Sequence, residues 1–249
     1  MISLCDDVVR CTMISHFVRR YLRKARIADN IITVAEMKYK LYIFDLDGTI
    51  LDTIDDLAIS VNYALSVFGF PTLSTSEVAD RTGNGVRRLV EESVPANTDK
   101  KTTLAVLDVF KQHYFYHCAD HTKPYDGIVD MLKALKANGK KLAVVSNKMD
   151  SAVQELAKDY FDKIFDAVVG QRDDVRAKPY PDSVDKVIGT LGIDKSETLY
   201  IGDSEVDVQT AINAKLDCVG VSWGFRGRQR LKACGAKIVV DNPKDILEL

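Results

Sequence analysis

"LYIFDLDGTILDT", residues 41–53, decides the reading of this chain. It opens on the apolar run Leu41–Phe44, as a strand buried on both faces requires. Asp45 and Asp47 follow two residues apart, then Gly48 and Thr49, and Asp52 arrives five residues after Asp47. Carboxylates do not belong inside a sheet. They fit at the carboxyl end of a parallel strand, where open α/β sheets bind their ligands.

The flanking sequence supplies that sheet. Apolar strand candidates fall at 41–45, 142–146, 164–169, 198–202, 218–222 and 237–240. Helical patterns separate most of them, such as "GIVDMLKALKANG" (127–139), closed by Gly139, and "SAVQELAKDYF" (151–161). Buried runs alternating with amphipathic helices predict an α/β fold, a Rossmann-like parallel sheet covered on both faces. One interval breaks the alternation. Residues 53–119 hold helical patterns and no strand, which predicts an inserted α-helical cap domain. The expected division is therefore an α/β core of residues 37–52 and 120–249, with the cap at 53–119 and an extension at 1–36. The extension carries Arg19, Arg20, Arg23 and Lys24 between apolar residues at helical spacing. That pattern suits a membrane-surface or targeting helix. The preferred reading is a segment ahead of the true domain, with Met37 as a natural start.

Composition narrows the function classes. In 249 residues, 46% are apolar, enough for a sizeable core. A formal charge of −2 gives no argument for nucleic-acid binding. No apolar run is long enough to span a bilayer, and no secretory signal is visible. Five cysteines, none in a C-x-x-C pair, argue against a disulfide framework and point to the cytoplasm, with Cys218 read as core.

Several strand candidates end in polar residues. The first ends in Asp45 and Asp47, the second in Ser146 and Asn147, and "TLYIGDSEVD" in Asp203 and Asp207. Lys178 precedes Pro179 just upstream. Each alone is more simply a cap or a turn. Together, beside strand ends, they would gather in one crevice. Clustered carboxylates need a compensating cation, and hard oxygen ligands without histidine or thiolate suit Mg²⁺. A metal, a lysine, hydrogen-bond donors and an oxygen nucleophile are what phosphoryl transfer demands. In the expected cap, Gly83 and Gly85 around Asn84 suit a loop that approaches a ligand closely. Arg81 and Arg87 could meet a substrate carboxylate or second phosphate, a reading weighed evenly against a solvated helix face. His113, His117 and His121 stand at i, i+4 and i+8, but no metalloprotease motif accompanies them, so surface histidines are preferred to a zinc site. Trp223, Gly224, Phe225 and Arg226 either border the site or form a packing turn.

In order and spacing, "DLDGT" (45–49), "VVSN" (144–147), "KPYPD" (178–182) and "GDSEVD" (202–207) resemble the motifs of the haloacid dehalogenase-like phosphatase superfamily, over residues 39–249. The resemblance implies that Asp45 attacks phosphorus and forms an aspartyl-phosphate. Asp47 would protonate the leaving oxygen and then activate water. Mg²⁺ would be held by Asp45, Asp203 and the backbone carbonyl of Asp47, with Asp207 holding metal-bound water or Lys178. Ser146 would hydrogen-bond the phosphoryl group, supported by Asn147, and Lys178 would neutralise the nucleophile. Asp47 and Asp203 argue against metal-free dehalogenation, and Thr49 favours a phosphatase over a phosphosugar mutase. "TGNGVRRLV" (82–90), "TKPYDGI" (122–128) and "VSWGFRGRQRLKACGA" (221–236) are similar to the phosphoglycolate phosphatase group, whose relatives include pyrophosphatases and nucleotide or sugar-phosphate phosphatases. The implied partner is a small phosphorylated metabolite, and the implied assembly a monomer or dimer. A non-catalytic binding member of the fold is the contrasting reading, and the intact set of Asp45, Asp47, Lys178 and Asp203 speaks against it. Asp52 is expected to be a local cap or hinge residue where the chain leaves the core.

Overall fold

In the computed structural model, which describes residues 37–249, the run Leu41–Phe44 forms β1 with all its side chains fully buried. Next come β2 (Leu51–Asp52), α1 (Ile54–Val67), α2 (Thr75–Arg81), α3 (Val86–Ser93), α4 (Lys100–His117) and β3 (Lys123–Pro124). Then helices and strands alternate: α5 (Ile128–Ala137), β4 (Lys141–Met149), α6 (Asp150–Phe161), β5 (Ala167–Gln171), α7 (Asp182–Leu191) and β6 (Thr198–Gly202). There follow α8 (Glu205–Ala214), β7 (Asp217–Val221), α9 (Gly227–Ala233), β8 (Ile238–Val240) and a short 3-10 helix (Pro243–Glu248). The main sheet has six strands in the order β5-β4-β1-β6-β7-β8, every pair parallel, so β1 is central as its apolar run requires.

Side chains alternate across β1. Leu41 and Ile43 pack with Val184, Val187 and Ile188 of α7 and with Ala211 and Ala214 of α8. Tyr42 and Phe44 face the other way, where the Phe44 ring meets Phe165 at 6.4 Å and Phe165 meets Phe161 of α6 at 5.5 Å. Burying a side chain of this size contributes roughly 1.5–3 kcal/mol. Pinned on both faces, β1 presents a rigid carboxyl end.

All six expected strands are present. β4 runs longer than its apolar core and reaches Met149 through a register irregularity between Val145 and Met149. Ser146, Asn147 and Lys148 lie in that irregular stretch, a common device for re-aiming side chains at a site. An antiparallel pair, Leu51 with Pro124 and Asp52 with Lys123, was too short to announce itself by periodicity. It ties together the two chain segments that bound the four-helix stretch, and it is where Asp52 sits.

Helices α1 to α4 share a core of their own, including Leu57, Val61, Leu65, Val78, Leu89 and Phe110. Their starts are encoded locally. Ser74 and Glu77 form a capping box on α2, and the Asp99 side chain accepts from the backbone N–H groups of Lys101 and Thr102 on α4. No helix among the described residues is long and apolar enough to cross a membrane. The basic amphipathic pattern within 1–36 lies outside the described residues.

Candidate active site

Strand register brings the polar residues together. Phe44 pairs with Val144 on one side and Ile201 on the other, and the Asp45 N–H donates to the Ile201 carbonyl at 2.9 Å. Asp45, Ser146 and Asp203 therefore emerge side by side just past the sheet, all of them buried. Asp45 Oδ1 accepts from the Leu46 N–H at 2.7 Å and lies 2.9 Å from Lys178 Nζ. Among the described residues no donor engages Asp45 Oδ2.

Lys178 is held in turn. Its Nζ donates to Asp207 Oδ1 at 2.8 Å and to the Tyr200 hydroxyl at 3.2 Å. The other Asp207 oxygen accepts from the Ser204 N–H at 3.1 Å and the Ser204 hydroxyl at 2.6 Å. With both oxygens occupied, Asp207 acts as the anchor for Lys178, one of the two roles the sequence left open. Asn147 aligns the same segment: its side chain accepts from the Lys178 N–H at 2.8 Å and donates to the Lys178 carbonyl at 3.0 Å and the Gly83 carbonyl at 2.9 Å. Ser146 Oγ accepts from the Lys148 N–H at 3.2 Å.

Carboxylate oxygens of Asp45, Asp203 and Asp207 lie within 4.8 Å of one another. One ammonium, Lys178, stands against three acids. Asp203 has no cation bonded to it and accepts only from the Phe225 N–H at 2.7 Å and, weakly, from Thr49 Oγ1 at 3.4 Å. Burial pushes the Asp45 carboxyl up to about 7, with Lys178 pulling the other way. Burial, and then the charges of Asp207 and Asp45, hold Asp203 well above the ordinary carboxylate range. Lys178 remains well above the ordinary lysine value: burial works against its charge, but Asp207 and Asp45 outweigh it. An uncompensated acid pair of hard oxygens is what a divalent cation would balance. The donor set fits a hard divalent cation, and the Asp47 side chain is not one of the trio. Protons compete for these carboxylates, so Mg²⁺ is expected to raise the unfolding temperature more at pH 8 than at pH 5. Equal shifts at the two pH values in a thermal-unfolding titration would contradict this.

The Asp47 side chain instead meets a pair of residues the sequence reading passed over. Its Oδ1 accepts from Thr53 Oγ1 at 2.8 Å and Lys148 Nζ at 2.9 Å. Thr53 sits at the N-cap position of α1 but makes no side-chain cap bond, because its hydroxyl serves Asp47. Burial works against the Lys148 ammonium, but Asp47 and the Tyr114 hydroxyl outweigh it and hold its pKa above the ordinary value.

The 223–226 segment, which the sequence left between site border and packing turn, closes one wall of the site. Trp223 Nε1 donates to the Thr49 carbonyl at 3.0 Å, and the Arg226 guanidinium donates to the carbonyls of Ala79, Asp80 and Thr82 at the end of α2. Gly224 is there for close approach: a Cβ would stand 2.2 Å from the Gly48 carbonyl oxygen and 2.3 Å from Asp203 Cβ. Gly224→Ala is expected to lower stability by about 1–3 kcal/mol and to displace Asp203. Gly189→Ala is the control, since its Cβ meets nothing within 4 Å and removing a helical glycine stabilises. Denaturant unfolding of both variants checks the contrast.

A cavity of about 40 Å³ lies between the sheet end and the helices, with Asp45, Asp47 and Lys148 on one side and Leu57, Val86 and Leu89 on the other. Gly83 and Gly85 line it. Arg81, Asn84 and Arg87 do not. Arg81 donates to the carbonyls of Glu77 and Glu92, Arg87 pairs with Glu91 on an exposed face, and Asn84 is exposed. The three histidines form no metal-ligand cluster among the described residues. His113 is stacked between Tyr63 and His117, at 4.2 and 4.4 Å, and His117 pairs with Asp120. The aspartate trio is the candidate metal cluster among the described residues.

Residues 42–221 match the haloacid dehalogenase-like hydrolase family, and the chain belongs to it. It is 31% identical to phosphoglycolate phosphatase 1 of Pseudomonas aeruginosa, over 84% of this chain and 78% of that protein. It is 30% identical to the N-acetylmuramic acid 6-phosphate phosphatase of the same organism, over 86% of this chain and 95% of that protein. A crystal structure from Lactobacillus delbrueckii subsp. bulgaricus, a candidate phosphoglycolate phosphatase, superposes with a TM-score of 0.81 at 37% identity, covering 85% of this chain and 98% of that one.

Proposed function

We propose that the chain is a Mg²⁺-dependent phosphatase that hydrolyses a small phosphomonoester through an aspartyl-phosphate on Asp45. The observation that carries this reading is Asp45 itself, a buried carboxylate that lines the cavity, with one oxygen held by Lys178 and Leu46 and the other without a donor among the described residues. In the first step Asp45 Oδ2 bonds to phosphorus, the ester P–O bond breaks with its electron pair on the leaving oxygen, and Asp47 supplies the proton. In the second, Asp47 takes a proton from water as that water attacks phosphorus, releasing inorganic phosphate and restoring the Asp45 carboxylate. Ser146 donates to a phosphoryl oxygen, and Lys178 offsets the charge on Asp45. Mg²⁺, held by Asp45, Asp203 and the Asp47 backbone carbonyl, supplies further positive charge for the phosphoryl oxygens when bound.

Helices α1 to α4 act as a cap over this site, with Leu57, Val86 and Leu89 closing the cavity against water. The relatives named phosphoglycolate phosphatase favour a small leaving group, as in phosphoglycolate. A Mg²⁺-supplemented panel of phosphoglycolate, pyrophosphate, nucleoside monophosphates and sugar phosphates is expected to show the highest kcat/KM for phosphoglycolate. Preference for a sugar phosphate would overturn the phosphoglycolate assignment, and no hydrolysis of any ester would overturn the phosphatase reading.

A further inference from the structure

Lys148 is a buried charge that the reaction above does not use. It is 5% exposed, and its ammonium lies between Asp47 Oδ1 at 2.9 Å and the Tyr114 hydroxyl, to which it donates. It also stands 4.6 Å from the centre of the Tyr114 ring. A lysine removed from water in this way is expensive unless its charge is employed, and a methionine would fill the same space more cheaply.

What it does to Asp47 is geometric. Lys148 and Thr53 both donate to Oδ1, which fixes the carboxyl plane and leaves Oδ2 without a protein donor among the described residues, on a side chain that lines the cavity. Tyr114 fixes Lys148 in turn. It is 1% exposed, belongs to the core of helices α1 to α4, and stacks on Phe110 at 5.3 Å. An unbroken line of contacts thus runs from the interior of the helical unit, through Tyr114 and Lys148, to the carboxyl beside the nucleophile.

We propose that Lys148 is a positioning residue that orients Asp47 to deliver its proton to the leaving oxygen, and that Tyr114 makes this orientation depend on the helical unit being seated over the site. The inference rests on the acid role of Asp47 proposed above. Lys148 transfers no proton itself: the proton passes from Asp47 to the ester oxygen, and the ammonium keeps all of its own.

The test compares two small substrates whose leaving groups differ in basicity. Phosphoglycolate expels an alkoxide that needs a proton, whereas acetyl phosphate expels acetate, which does not. First-turnover release of the leaving group is measured on the full chain with Mg²⁺. Lys148→Met is expected to slow phosphoglycolate cleavage by about 100-fold or more while leaving acetyl phosphate cleavage within about threefold, since general acid catalysis contributes about 10²- to 10⁴-fold. Tyr114→Phe is expected to shift the two substrates apart in the same direction, by about tenfold on the same scale. Equal slowing of both substrates, or of neither, overturns the proposal, and Tyr114→Phe decides alone if Lys148→Met fails to fold. Asp47→Asn is run in parallel. If it does not separate the two substrates, the acid assignment falls and this proposal falls with it. If it separates them and the Lys148 and Tyr114 variants do not, only the positioning role is refuted.

Discussion

Asp45→Asn will yield a folded protein that does not turn over. Asparagine keeps the shape of aspartate and can still accept the Leu46 N–H bond through its amide oxygen. It cannot form the acyl-phosphate, and removing a nucleophile that acts in concert with its neighbours lowers kcat by about 10⁴-fold or more. The fold does not depend on the lost charge. In the folded chain the Asp45 carboxyl holds its proton up to about 7, against about 3.9 in an unfolded one. Its stabilising contribution is therefore complete below the unfolded value and is lost as pH rises through about 7. Above that pH, without Mg²⁺, ionised Asp45 burdens the fold and asparagine relieves it. The variant should be at least as stable as the parent at pH 8 in chelator, by urea unfolding, while showing no phosphate release. Residual turnover within tenfold of the parent would remove Asp45 from the nucleophile role.

Lys178→Met should damage both activity and stability. The parent ammonium is 6% exposed and lies 2.9 Å from Asp45 and 2.8 Å from Asp207. Methionine fills the volume and leaves two buried carboxylates with no cation bonded to them. Breaking a buried ion pair from one side costs about 3–5 kcal/mol, and losing a donor aimed at developing charge costs about 10²- to 10³-fold in kcat. The destabilisation has a pH signature. Without Lys178 the Asp45 carboxyl holds its proton more tightly still, so the loss is greatest at high pH and shrinks as pH falls toward about 7. Urea unfolding of parent and variant at pH 5 and pH 8 measures it. A variant as stable as the parent at pH 8 would mean that Lys178 does not balance these acids.

The sheet and its acid cluster were legible because they are written in contiguous segments. An apolar run ending in Asp needs only its own period and its own terminus to be read, so β1, β4 and β6 with Asp45, Ser146 and Asp203 could be placed from sequence. What sequence could not place were contacts between segments far apart. Lys148 meets Asp47 across 101 positions, and Arg226 meets Thr82 across 144. Read locally, Lys148 is the polar tail of a strand, Thr53 a helix cap, and Tyr114 one more aromatic in an amphipathic helix. The signal for Thr53 existed, since an N-cap residue six positions after a candidate acid is close enough to reach it. Arg81 and Arg87 are a different case. Charge near a glycine loop suggested a ligand, but Glu91 one turn away and the carbonyls of Glu77 and Glu92 were nearer. The short pair of β2 and β3 carries no period at all, and only the return of the chain after α4 creates it.

The covalent route proposed through Asp45 has a stereochemical consequence at phosphorus. Two successive in-line displacements, first by Asp45 and then by water, return phosphorus to its starting configuration. A single direct attack by water inverts it. Hydrolysis, in isotopically labelled water, of a phosphorothioate ester made chiral at phosphorus with an oxygen isotope, followed by configurational analysis of the released thiophosphate, therefore separates the two. Retention is the result expected here, and inversion would contradict an aspartyl-phosphate on Asp45.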